Sequence, residues 1–128
     1  MRKAVCVILK NEVGKILAVS RKDNHELFGL VGGKVDEGET IEEAIIREAK
    51  EETNLDIFDL KLINTQSYGI SEETIYEQNC FTAKWKGVLL PQEELNSIGE
   101  TGIVKWVDLE VLENGFFGDY NKNMFKFL

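Results

Sequence analysis

The chain is short of several things at once, and each shortage removes a class of protein. Its 128 residues hold one proline, one histidine and two cysteines. Pro91 alone, with no Ser/Gly-rich or low-complexity stretch, leaves no convincing linker, and the length suits one domain spanning 1–128. Cys6 and Cys80 form neither a CxxC pair nor a disulfide framework, so buried, reduced thiols are expected. Long apolar runs are missing too. Ala4 to Leu9 is shorter than the ~7–15 residues of a secretory core and runs into Lys10-Asn11-Glu12, while nothing approaches the ~20 apolar residues of a membrane span. A cytoplasmic protein with no membrane partner is the expectation. Cations are scarce, with 15 Lys+Arg against 23 Asp+Glu for a net charge of −8. That balance excludes an extended surface for gripping nucleic acid, which depends on Lys and Arg displacing counterions. Any phosphate chemistry must therefore be local, through a bound cation or a small basic patch.

What is present reads as alternating strands and helices. Lys3 to Leu9 and Lys15 to Ser20 are rich in Val, Ile and Leu around the turn residues Asn11 to Gly14, which predicts a β-hairpin. Phe28 to Val31 predicts a short strand before a Gly32-Gly33 turn. Thr40 to Thr53 is the clearest helix, since Thr40 and Glu43 make a T-x-x-E capping box and Asn54 tolerates the left-handed stop. Ile57 to Tyr68, Ile75 to Trp85 and Ile103 to Val107 predict three further strands, with Phe81, Ala83 and Trp85 on one face. Leu109 to Leu112 opens a short helix. Gly115 to Leu128, with Phe116, Phe117, Tyr120, Phe125 and Phe127, packs as a final helix. Together these give an α/β or α+β domain with a mixed sheet.

The long helix carries acids in an unusual place. On a wheel of about 100° per residue, Ile41, Ala44, Ile45 and Ala49 form the apolar stripe. Glu48 and Glu52 fall within or beside it and Glu51 on its flank, whereas Glu43 and Lys50 lie opposite. Carboxylates near a buried face are costly unless they are paired or ligate a metal. Glu51 and Glu52 each stand about one turn from Glu48, so the three can converge on one point. An oxygen-only set suits Mg²⁺ or Mn²⁺, ions commonly shared with substrate phosphates. A solvated acidic helix end, with Arg47 as partial counter-charge, is the alternative.

The segment GKVDEGETIEEAIIREAKEETNL, Gly33 to Leu55, resembles the Nudix box, G-x5-E-x7-R-E-U-x-E-E-x-G-U, where U is aliphatic. Gly33, Glu39, Arg47, Glu48, Glu51, Glu52 and Leu55 match at the required spacing. Ala49 is a small version of U, and Asn54 replaces the last glycine. The lead-in LFGLVGGK is similar to the family's as well, with Val31 where proline is common.

The resemblance implies the Nudix fold, an α/β/α sandwich around a mixed β-sheet. It also implies hydrolysis of a nucleoside diphosphate linked to another moiety, with Mg²⁺ or Mn²⁺. Glu48, Glu51 and Glu52 would ligate the metal, helped by a carbonyl of Gly32 or Gly33. Arg47 would orient the glutamates, with Glu39 as its partner. Glu100, six residues before Trp106, is placed as a fourth ligand or general base, ahead of Glu77 and the Glu93/Glu94 pair. Lys34 is a candidate phosphate contact. Phe117, Asp119 and Asn121 resemble in spacing the region where MutT-type members read a base, with a packing helix as the alternative. His25 is first a loop residue. There is no SQPWPxPxS-like signature. The expected substrate is a small nucleotide, foremost a (d)NTP or oxidised dNTP cleaved to nucleoside monophosphate and pyrophosphate by a monomer or homodimer. ADP-ribose, dinucleoside polyphosphates and nucleotide sugars are the alternatives, and a non-catalytic nucleotide-binding module is a third reading.

Overall fold

A computed structural model describes residues 2–21, 24, 26–69, 73, 75–89, 102–115 and 117–128. Six strands, β1 (Arg2–Ile8), β2 (Ile16–Ser20), β3 (Phe28–Lys34), β4 (Asp56–Tyr68), β5 (Tyr76–Lys86) and β6 (Val104–Val107), form one mixed sheet in the order β4-β5-β1-β3-β2-β6. Among the described residues three helices flank it: α1 (Ile41–Thr53), α2 (Leu109–Glu113) and α3 (Gly118–Phe125). β1 runs parallel to β5 and antiparallel to β3, which is the mixture expected from the sequence.

The period of two along β1 sorts its side chains between two cores. Val5 and Val7 join Val31, Ala44, Ile45, Ala49 and Phe81 in the core beneath α1. Cys6 and Ile8 join Ala18, Phe28, Leu112, Tyr120 and Met124 beneath α2 and α3. Helices therefore cover both faces of the sheet. Each fully buried Val, Leu or Ile contributes roughly 1.5–3 kcal/mol, so both layers are needed to hold a domain of this size.

Helix α1 starts and stops where its sequence dictates. The Thr40 hydroxyl accepts from Glu43 N at 3.1 Å while the Glu43 carboxylate accepts from Thr40 N at 2.9 Å. Asn54 ends the helix at φ 68° and its N–H closes onto Lys50 O. The buried stripe is Ala44, Ile45, Ala49 and Thr53. Thr53 is tolerated there because its hydroxyl donates to Ala49 O at 2.5 Å and accepts from Leu55 N at 3.1 Å.

Two sequence expectations are corrected. The β1–β2 hairpin has its turn, in which the Asn11 side-chain oxygen accepts from Val13 N and Lys15 N, but only a Lys10–Ile16 bridge joins the two segments. β3 lies between them, pairing with β1 through Val31 to Lys34 and with β2 through Phe28 to Leu30. A local turn signal says nothing about a later strand that takes both partners. Secondly, Gly32 and Gly33 are not a turn but the last part of β3. A side chain on Gly32 would collide with the Val5 carbonyl, and one on Gly33 with the Glu48 carboxylate. These glycines serve close approach rather than chain reversal.

Candidate active site

Strand β3 and helix α1 hold the acids of the Nudix-like segment. The Glu48 carboxylate stands over Gly33, in space that only a glycine leaves open. The Glu52 carboxylate accepts from Gly32 N at 3.0 Å. Glu51, one turn from Arg47 on the outer flank, is exposed. Arg47 binds the group together. Its Nε and Nη2 donate to the two oxygens of Glu39 at 2.7 and 3.0 Å, and its Nη1 donates to Glu48 at 2.9 Å and Glu51 at 3.3 Å. Nη2 also donates to Lys34 O at 3.0 Å, tying the helix to the end of β3. Such forked, charge-assisted bonds are the strong kind, and they place Arg47 with the glutamates.

Protonation follows from these contacts. The Arg47 fork, followed by a bond from Asp36 N, holds the Glu39 carboxyl down at about 2. Arg47 is driven further onto its charged side, first by Glu39. Glu48 goes the other way: burial pushes its carboxyl up, against the pull of Arg47 and with the charge of Glu51 adding to the push. At Glu48 burial thus outweighs the contact with Arg47.

Among the described residues, no three or more His, Cys, Asp or Glu side chains are arranged to hold a metal ion. Of the three acids expected to converge, Glu48 and Glu51 meet on Arg47, while Glu52 is held by Gly32 N. The donor set nonetheless fits a hard divalent cation: its side chains offer only carboxylate oxygen, and Gly33 leaves a cradle for Glu48 that a Cβ would fill.

Across β3 from the acids lies a cavity of about 630 Å³. Its shape follows from the strand register. One lateral row is Gln78–Ala4–Lys34 and the next is Cys80–Cys6–Gly32, each crossing β5, β1 and β3. Small residues at the centre of both rows make the hollow, and Tyr76, Phe117, Tyr120 and Asn121 stand around it. Gly32, Gly33 and Lys34 line the cavity while also carrying the contacts to Glu52, Glu48 and Arg47. The acids and the cavity thus share one stretch of backbone.

Sequence candidates fall on both sides of this wall. Lys34, Phe117 and Asn121 line the cavity, whereas Asp119 is exposed on the first turn of α3 and is not among the lining residues. Asn121 is buried, and its Nδ2 donates to Leu112 O at 3.1 Å. Glu77 sits on the opposite face of β5 from Gln78, near Lys3 at 3.8 Å. Glu100, the Glu93/Glu94 pair and His25 lie outside the described residues. Sequence reasoning missed Arg2, Cys6, Tyr76, Gln78 and Tyr120, all of which line the cavity. The alternation of β1 and β5 marks the right parity, but the parallel register that joins them is not a local signal.

Comparison with known proteins agrees with this arrangement. The family model described as NUDIX domain matches residues 1–128. A dihydroneopterin triphosphate diphosphatase of Escherichia coli K12 is 30% identical over 111 residues, covering 80% of this chain and 74% of its own. A putative 8-oxo-dGTP diphosphatase of Bacillus subtilis is 55% identical over 47 residues, 37% of this chain and 31% of that one. The crystal structure of a MutT protein from Bacillus halodurans superposes with a TM-score of 0.77 at 23% identity, over 98% of this chain and 80% of the other. With the box residues gathered at one end of β3 and the family matched from end to end, this chain belongs to the Nudix family and is a pyrophosphohydrolase.

Proposed function

We propose that the protein, acting as one domain over 1–128, cleaves a nucleoside triphosphate or a closely related triphosphate to the monophosphate and pyrophosphate, with Mg²⁺ or Mn²⁺. One observation carries the reading: Gly32, Gly33 and Lys34 form a wall common to the acidic cluster and to a cavity of about 630 Å³, a size suited to a nucleotide-scale ligand. Lys34 offers an ammonium from that wall to the phosphates. Phe117 offers a ring face to a base, and the buried Asn121 carboxamide offers an edge. Asp119 approaches the ligand only from the cavity's outer side.

Glu48, Glu51 and Glu52, with a carbonyl of Gly32 or Gly33, would hold the divalent cation. When bound, such a cation neutralises phosphate charge and lowers the pKa of an attacking water. Arg47 keeps Glu48 and Glu51 positioned through the bonds it already makes and is itself braced by Glu39. Glu100 is the candidate fourth ligand or base, with a helix glutamate as the other candidate base. Similarity to a dihydroneopterin triphosphate diphosphatase and to a putative 8-oxo-dGTP diphosphatase supports a bicyclic, nitrogen-rich ring on the substrate.

The test is hydrolysis of a panel, with products identified by mass, in Mg²⁺, in Mn²⁺ and in EDTA. The panel holds the common NTPs, 8-oxo-dGTP, dihydroneopterin triphosphate, ADP-ribose, a dinucleoside polyphosphate and a nucleotide sugar. Monophosphate plus pyrophosphate from a triphosphate, lost in EDTA, supports the reading. Preferential cleavage of ADP-ribose or a nucleotide sugar overturns the substrate class. Tight nucleotide binding without turnover overturns catalysis.

A further inference from the structure

Cys6 and Cys80 are separated by 73 intervening residues in sequence but are directly paired in the parallel β1–β5 ladder. Paired residues in adjacent strands point to the same face. Here that face is the one beneath α3, and both thiols belong to its core. Adjacent strands lie about 4.7–4.9 Å apart, within the roughly 4.4–6.8 Å between Cα atoms that a disulfide spans. The third residue of the row, on the other side of Cys6, is Gly32. Gly32 has no side chain, and Cys6, though buried at 6% exposure, lines the cavity, while Cys80 is fully buried and does not line it. The Cys6 sulfur also shares a hydrogen bond with the Tyr120 hydroxyl at 3.6 Å, and Tyr120 is part of the cavity wall.

We propose that Cys6 and Cys80 are a thiol modification site in the cavity floor, closed to a disulfide by a low-molecular-weight disulfide and coupled to the ligand cavity through Tyr120. The Cys6 sulfur, as thiolate, attacks one sulfur of the small disulfide. That S–S bond breaks, and one half leaves as a thiol carrying the proton Cys6 gave up. The Cys80 sulfur then attacks the Cys6 sulfur and expels the second half, whose thiol takes the Cys80 proton. Two protein thiols are oxidised and one small disulfide is reduced to two thiols. The order follows from access, since only Cys6 meets the cavity. Hydrogen bonds from Cys80 and Tyr120 also favour the Cys6 thiolate, whereas Cys80 is pushed up by Cys6 and by burial. Closure removes the thiol that the Tyr120 hydroxyl meets and draws the floor together beside Gly32.

The effect on turnover rests on the proposed use of the cavity; the thiol chemistry does not. The folded protein is incubated with hydroxyethyl disulfide, then measured by intact mass, free-thiol count and hydrolysis of the triphosphate best cleaved in the panel above. The expected result is loss of two hydrogen masses and both free thiols. kcat/KM should fall on the order of tenfold or more, since misplacement of a positioned site by about 1 Å can cost that much, and dithiothreitol should restore it. Cys80→Ser should stop at a single mixed disulfide, and Cys6→Ser should not react while folded. Retention of both thiols in the wild type overturns the proposal, as does a stable mixed disulfide that never closes or equal reaction of Cys6→Ser. If either variant fails to fold, the wild-type mass and thiol count still decide. A disulfide that leaves kcat/KM unchanged overturns the coupling, and absence of any turnover strikes the proposed function while leaving the thiol result standing.

Discussion

The two sides of β3 are built in opposite ways. On the α1 side, Glu39, Arg47, Glu48, Glu51 and Glu52 come from one short stretch of chain; Glu39, Glu48 and Glu51 meet on Arg47 through charged hydrogen bonds, and Glu52 is fixed by Gly32 N. On the cavity side, Lys34, Gln78, Tyr120 and Asn121 come from β3, β5 and α3, joined only by sheet register and helix docking. The acidic side is specified locally, with little room for variation. The cavity side is specified globally, by strands and a helix far apart in sequence. Under the proposed function, chemistry would lie where sequence spacing sets it and substrate choice where the fold does.

That contrast can be broken from either side. The largest effect is expected from Glu52→Gln, which keeps the shape and an acceptor for Gly32 N but removes the charge. Hydrolysis should fall on the order of a hundredfold or more, comparable to removal of a positioned charge-stabilising group. Near-normal kcat with an unchanged melting curve would reject a catalytic role for this glutamate. Gly33→Ala comes next. Its methyl group enters the space of the Glu48 carboxylate, so stability should drop by about 1–3 kcal/mol in denaturant titration, the usual cost of overpacking, together with activity.

On the cavity side, Asn121→Ala should act more mildly and selectively. The Leu112 carbonyl loses one of its donors but keeps Gly115 N at 3.3 Å, so the cost should be about 0.5–1.5 kcal/mol by thermal melting, and KM should rise for purine-like substrates above others. An equal rise for every substrate would reduce Asn121 to a packing residue. The smallest effect concerns acid. The Glu39 carboxyl is held at about 2 against its ordinary 4.5, so its stabilisation is fully present above 4.5 and fades as pH falls towards 2. Glu39→Gln should flatten that part of the melting-temperature profile and leave the neutral limb parallel to wild type. Identical acid limbs would show that the Glu39–Arg47 contact carries no pH-dependent stability.

What the sequence discloses follows the same division. The capping box at Thr40, the left-handed stop at Asn54 and the buried stripe of α1 are readable because they depend on neighbours within a few residues. The same holds for the placement of Glu48 and Glu52 beside that stripe. The hairpin fails because β3, arriving later in the chain, separates β1 from β2. Gly32 and Gly33 look like a turn because glycine's usual meaning is conformational, whereas here it is spatial and set by Val5 and Glu48. Tyr76 and Gln78 escape notice since nothing local announces a parallel partner some 70 residues away.

Arg47 carries a consequence for how the acidic cluster accepts cations. The glutamates are not a bare negative hole awaiting charge, because a resident guanidinium already bridges Glu48 and Glu51 and anchors itself on Glu39 and Lys34 O. Under the proposed function, a divalent ion arriving there would exchange with part of that bridge instead of filling a void. Singly charged ions, offering no more than Arg47 does, have little to gain by displacing it. The arginine would then be a threshold: it already neutralises part of the cluster, and an incoming ion would have to bring more charge than it does.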